Sequence, residues 1–106
     1  MDIIKLQAYR KPKSKMYSGR DHGIEVRNKL KLDEKDRDEK KYTIYIPNDT
    51  LAINSSFFGG LFSDSVIFLG KEKFKEKYNF LGENGETLKK TLVNDIEEGI
   101  YDAINS

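Results

Sequence analysis

The sequence predicts a small α/β domain with the order βαβαβα and a short, mostly parallel sheet covered by helices. Three observations lead there. Segments rich in β-branched and aromatic residues alternate with segments whose apolar residues recur at helical spacing. Residues 42–46, Tyr-Thr-Ile-Tyr-Ile, have the composition of a strand and stop at Pro47, which cannot donate to a ladder. Near the end of the chain, Leu88, Leu92, Ile96 and Ile100 repeat every fourth residue, as one face of a helix requires.

From the start, residues 3–9 are short and β-compatible and read as a first strand. Residues 11–17 are basic, contain Pro12 and read as a loop. Ser18-Gly19-Arg20-Asp21 reads as a turn into a helix, with Ser18 or Asp21 as its cap. Ile24, Val26, Arg27 and Leu30 supply a weak inner stripe. Residues 33–41 hold no apolar side chain, so a solvated helix end or a mobile loop is expected. The strand at 42–46 follows, then a turn at Asn48-Asp49-Thr50 and a short apolar link, Leu51-Ala52-Ile53.

Asn54-Ser55-Ser56 offers three capping residues in a row, and a helix should run from there to about Leu69. Phe58, Leu61, Phe62, Ser65 and Leu69 share one face, while Phe57, Asp64 and Phe68 lie off it. Gly59-Gly60 costs on the order of 1 kcal/mol per glycine against alanine, which implies a close backbone approach or a packing need. Gly70 stops the helix, a short turn forms around Phe74, and residues 78–81 make a third strand. Gly82-Glu83-Asn84-Gly85 is a turn, with Asn84 as cap for a final helix over 86–105 that includes Val93, Gly99, Ala103 and Ile104.

Composition bounds the function. The length suits a single domain over 1–106, divided into an N-terminal strand and basic loop (1–17), a central unit (18–81) and a C-terminal amphipathic helix (82–106). There is no Cys, which removes disulfides and thiolate chemistry and favours a reducing, cytoplasmic setting. No stretch approaches the length of a membrane span, and the N-terminus lacks the apolar core of a signal peptide. Richness in Lys, Asn and Ile suggests an AT-rich bacterial or phage genome.

The formal net charge is +1, yet residues 1–31 hold nine Lys or Arg against three acids, a local +6. Lys11, Lys13, Lys15 and Arg20, interleaved with Tyr9 and Tyr17, could follow a nucleic-acid backbone with stacking, against a sequence pI of about 7.8 that is low for such a domain. A solvated loop is the competing reading. His22 is the sole histidine, with no second His and no Cys to complete a catalytic or metal set. Residues 82–87 lack the Lys-Ser/Thr pair of a phosphate loop. No enzyme activity, cofactor or metal is expected.

Residues 53–62, Ile-Asn-Ser-Ser-Phe-Phe-Gly-Gly-Leu-Phe, resemble the STAS-like family of small bacterial domains, named for sulfate transporters and anti-sigma factor antagonists. Residues 69–77 fit its Gly and Phe-Lys segment, and Tyr17-Ser18-Gly19-Arg20 its Ser-Arg turn. The resemblance covers roughly 17–81. It implies a STAS-like fold and a regulatory protein-binding role, with a kinase-like ATPase or signalling protein as partner. It also implies a contact surface made of Ser18, Arg20, Asn54, Ser55, Ser56, Phe57, Gly59 and Gly60. Lying off the main stripe, Phe57 and Phe68 are candidates for contact, with core burial the competing role for each. In anti-sigma antagonists a Ser at this helix start is phosphorylated; Ser56 matches it, with Ser55 as the alternative. Two departures stand out: Tyr45-Ile46-Pro47-Asn48-Asp49 replaces the usual Leu-Asp-Phe strand end, and Asn54 stands where the antagonists carry Asp. A plain helix cap is the simpler role for both serines, and an edge strand leaves a homodimer open beside a monomer. The alternative function is a phage-type nucleic-acid-linked or anti-defence protein using the basic N-terminal third.

Overall fold

The computed structural model describes residues 2–105. Its main sheet has three parallel strands in the order β1 (Asp2–Lys5), β3 (Tyr42–Ile46), β5 (Tyr78–Gly82). A second, two-residue ladder pairs β2 (Met16–Tyr17) with β4 (Ala52–Ile53), also in parallel. Five helices complete the described residues: α1 (Arg20–Leu30), α2 (Leu32–Arg37), α3 (Ser55–Leu69), α4 (Lys71–Lys77) and α5 (Lys90–Ile104). The α/β architecture is the one expected.

Alternation along each strand decides which face is covered. Ile4, Tyr42, Ile44, Ile46 and Tyr78 are buried under the helices. On the opposite face Lys5 and Asn79 are exposed and Ile3 is 55% exposed. Helices cover the first face, as expected, and on the other the central-strand Thr43 is buried at 4% exposure. The core is unusually aromatic. Phe62 lies 5.1 Å from Tyr78 and 5.2 Å from Phe74 by ring centroids, and Tyr42 stacks on Tyr78 at 5.8 Å.

Several boundaries differ from the sequence reading, each for a local reason. The first strand ends at Lys5, because residues 6–9 tighten into a 3-10 turn that buries Leu6. The expected loop and apolar link each hold one strand of the small ladder, too short to show as periodicity. The last helix begins at Lys90, since Gly82 N–H donates to Glu86 O and Gly85 N–H donates to Gly82 O, folding residues 82–86 into a turn. Neither Ser18, Asp21 nor Asn84 caps a helix; Gly19 at φ 91° precedes α1 and Lys89 precedes α5. Asn54 is at the N-cap position of α3 but makes no side-chain capping bond. Ile24 is exposed rather than part of the inner stripe, which consists of Gly23, Val26, Arg27 and Leu30.

The charged run at 33–41 is the largest correction. Lys31, in the left-handed region at φ 55°, breaks the chain into α1 and α2 and turns Asp36 inward. Asp36 is only 5% exposed. Its carboxylate accepts from Arg27 at 2.9 Å, from the Ser65 hydroxyl at 2.7 Å and from the Tyr78 hydroxyl at 2.6 Å. Arg27 also donates to Leu61 O and Asp33. Burial lowers the affinity of the guanidinium for its proton, but Asp36 and Asp33 more than offset this and hold its pKa above the usual value. Asp38 receives Lys77 Nζ at 2.7 Å and the Tyr42 hydroxyl. Desolvation pushes its carboxyl up, yet those bonds and the Lys40 N–H win and bring it down to about 2. A segment without apolar residues therefore locks α1, α3, β3 and the start of β5 together.

Candidate functional site

The small β2–β4 ladder brings two helix starts side by side. Lys15 O accepts from Leu51 N–H at 2.7 Å, and Tyr17 O accepts from Asn54 N–H at 2.8 Å. The residues immediately beyond the ladder are Ser18-Gly19, leading into α1, and Ser55-Ser56, opening α3. Gly19 N–H then donates to Ser56 Oγ at 3.2 Å, tying one start to the other. Asp95 of α5 accepts from Ile53 N–H at 2.9 Å and holds the ladder from a third side.

Close packing of α1 on α3 explains the paired glycines. A Cβ on Gly60 would lie 2.2 Å from Arg20 O, and one on Gly23 would lie 2.3 Å from Phe57 O. The expected close approach is therefore real, and Gly60 forms the helix crossing. Gly59 faces differently: a Cβ there would meet the Arg20 guanidinium at 2.9 Å, so Arg20 lies across the first turn of α3. Arg20, Ser55, Ser56, Gly59, Ser63 and Asp102 line a groove of about 450 Å³. The groove combines a cation, three hydroxyls, one acid and the N-terminus of a 15-residue helix.

The resemblance-derived residues divide here. Ser18, Arg20 and Ser55 are exposed, and Asn54, Ser56 and Gly59 are partly so. Phe57 and Gly60 are buried and cannot meet a partner: Phe57 has no exposure and packs on Tyr17 at 5.1 Å and His22 at 5.3 Å. Phe68 is 56% exposed, but Arg37 sits over its ring at 5.1 Å, away from the groove.

No family model, curated protein or solved structure matches this chain.

The basic N-terminal loop has a different geometry from the one a stacking platform needs. Lys11, Lys13 and Lys15 are exposed, and Lys13 takes φ 65° at a turn. Tyr17, however, is 1% exposed and donates its hydroxyl to Leu6 O at 2.9 Å. Burial pushes its pKa well above the usual phenol value. Tyr9 is half-buried, and its carbonyl accepts from His22 Nε2 at 2.9 Å. The Tyr17 ring is not free for bases, and the Tyr9 ring packs partly against the core. Arg10 is engaged by Asp49 at 2.6 Å, a bond that holds the Asp49 carboxyl below its ordinary range. Arg20 belongs to the groove. His22 has a structural task, joining the 3-10 turn to α1, and its carbonyl partner requires the proton on Nε2.

Among the described residues no cluster of three or more His, Asp or Glu is arranged to hold a metal, and no helix is long and apolar enough to cross a membrane. Sequence reasoning missed Ser63 and Asp102. Both come from helix positions with no motif of their own, and only the packing of α5 against α3 puts Asp102 beside Ser55.

Proposed function

We propose that this chain is a regulatory protein-binding domain of STAS-like type, acting by docking rather than catalysis, with the joint start of α1 and α3 as its partner surface. The observation that carries the reading is the Gly19 N–H to Ser56 Oγ bond beside the exposed Arg20. It makes one hydroxyl the tie between two helix starts. A phosphate on Ser56 would break that tie and add a charge of about −2 at a helix N-terminus, within the groove that holds Arg20. Ser55 is the more exposed hydroxyl of the pair and the alternative acceptor. The resemblance points to a kinase-like ATPase or signalling protein as the partner.

A pull-down from the native host, with nuclease treatment and intact-mass measurement of the bait, tests this. A stoichiometric protein surviving nuclease is expected, with a fraction of the bait heavier by one phosphate. Ser56→Asp should weaken the complex at least about tenfold, or 1.4 kcal/mol, and Ser56→Ala should keep it but block the mass shift. A complex unchanged by both substitutions in folded protein would refute the switch. Nucleic acid as the sole co-purifying species, lost in high salt, would overturn the protein-binding reading in favour of Lys11, Lys13 and Lys15.

A further inference from the structure

The turn between β5 and α5 carries a chemistry separate from the groove. Asn-Gly occurs once in the chain, at Asn84-Gly85. Asparagine is a thermolabile residue, because its carboxamide carbon can close a five-membered ring with the next main-chain nitrogen. Three local features decide how readily that ring closes. The carboxamide must be free to turn, the following residue must not crowd it, and the following N–H must not be locked into a helix.

Asn84 meets all three. It is exposed, and so are its neighbours Glu83 and Gly85. Its main-chain N–H donates to Glu86 Oε1 at 3.3 Å, but among the described residues no bond holds its carboxamide. Gly85 takes φ 85°, and no heavy atom beyond its chain neighbours lies within 4 Å of where its Cβ would stand. Lacking a side chain, it leaves the rotation that brings nitrogen to carbon unhindered. The Gly85 N–H donates to Gly82 O at 2.9 Å in a turn open to water, and opening one such exposed bond slows the attack about tenfold at most. Other asparagines are held or crowded. Asn28 and Asn94 lie inside helices, Asn79 precedes the bulky Phe80, and Asn54 is half-buried and precedes Ser55. Asn48 accepts from Glu83 N–H through its Oδ1, and Asn105 donates its carboxamide to Tyr101 O.

We propose that Asn84-Gly85 is a self-modifying site, which converts with age to aspartate and isoaspartate at position 84. The Gly85 nitrogen attacks Asn84 Cγ. The carboxamide nitrogen takes up the Gly85 proton and leaves as ammonia, and a succinimide remains. Water, the sole co-reactant, then adds to one of the two ring carbonyls. Opening on one side gives aspartate. Opening on the other routes the main chain through the side-chain carbonyl and makes it one methylene longer. Either product places a new carboxylate between Glu83 and Glu86. Isoaspartate also pulls apart the two bonds that shape the turn, Gly85 N–H to Gly82 O and Gly82 N–H to Glu86 O. Those bonds set the lead into α5, the helix that brings Asp95 to the small ladder and Asp102 to the groove.

The test ages the full chain at neutral to mildly alkaline pH, folded and, in parallel, unfolded in guanidinium chloride. Peptide mapping by mass spectrometry, with fragmentation that separates aspartate from isoaspartate, reads the site, and released ammonia gives the stoichiometry. The folded chain should convert at Asn84 at no less than about a tenth of the unfolded rate, with isoaspartate among the products. Asn84→Gln, whose longer side chain would need a six-membered ring, should release almost no ammonia, with circular dichroism confirming that it folds. A folded wild-type chain that converts more slowly than that overturns the proposal. So does ammonia release that Asn84→Gln leaves unchanged.

Discussion

Replacing Gly60 by Ala adds one methyl group at the α1–α3 crossing, and the structure says where it goes. The new Cβ would sit 2.2 Å from Arg20 O, 2.9 Å from Ile24 N and 3.1 Å from the Arg20 carbonyl carbon. All three are backbone atoms of a helix, so no side-chain rotation relieves the clash. Ordinary contact begins near 3.4 Å. The helices must therefore part by about 1 Å, and separating well-packed surfaces by that much forfeits a quarter to a half of each dispersion contact. Alanine gains up to about 1 kcal/mol of helix propensity. Overpacking costs about 1–3 kcal/mol even where side chains can adjust, and a backbone clash belongs above that range. A net loss of about 2–3 kcal/mol follows, a large share of the 5–15 kcal/mol typical of such domains. Urea unfolding followed by circular dichroism measures it, and the thermal midpoint should fall by roughly 10–20 °C. Gly59→Ala is the internal control. Its Cβ meets the flexible end of Arg20, so the propensity gain is not opposed by backbone and stability should hold or rise by up to about 1 kcal/mol while the guanidinium moves off the first turn of α3. A Gly60→Ala protein as stable as wild type would refute the backbone-crossing argument.

Two further outcomes follow from the Asp36 and Asp38 ion pairs. Arg27→Leu strands Asp36, which is 5% exposed, with only the Ser65 and Tyr78 hydroxyls; it should cost about 3–5 kcal/mol, and adding Asp36→Asn should recover part of that loss in a double-mutant denaturation cycle. Asp38 has its folded pKa depressed to about 2 by Lys77, Tyr42 and Lys40 against desolvation, so its contribution is complete above the ordinary Asp value near 4 and disappears as pH falls from about 4 to about 2. Thermal melts across that window should show a steeper loss in wild type than in Asp38→Asn, and parallel curves would contradict the assignment.

How much of this was legible in the residues depends on how local the cause is. The strand at 42–46 and the helix from Ser55 to Leu69 are written in composition, capping residues and period, and both appear with the expected bounds. Of the aromatic core, Tyr42, Phe58 and Phe62 follow from those two elements. The Gly59-Gly60 pair announced a close approach, though not that the two glycines serve different neighbours, one a backbone and one an arginine side chain. Residues 33–41 misled because sequence patterning treats charge as solvent-facing. An acid can be buried when a guanidinium and two hydroxyls from distant segments converge on it, and no local window contains Arg27, Asp36, Ser65 and Tyr78 together.

The candidate site divides in the same way. Ser55, Ser56 and Arg20 were identifiable as residues of the right chemistry in the right turns. Their meeting was not, because it depends on a ladder two residues long that pairs Met16 with Ala52 and Tyr17 with Ile53, shorter than any periodic signal. Sequence by itself settled the class of fold, the strand at 42–46 and the helix that opens at Ser55, since each is dictated by neighbours within one or two turns. Tertiary structure alone decided that Phe57 is core, that Tyr17 is unavailable for stacking, that Asp102 joins Arg20 in one groove and that β5 is left as an edge. Those outcomes depend on which surfaces meet, and that is set by the free energy of the whole packed chain.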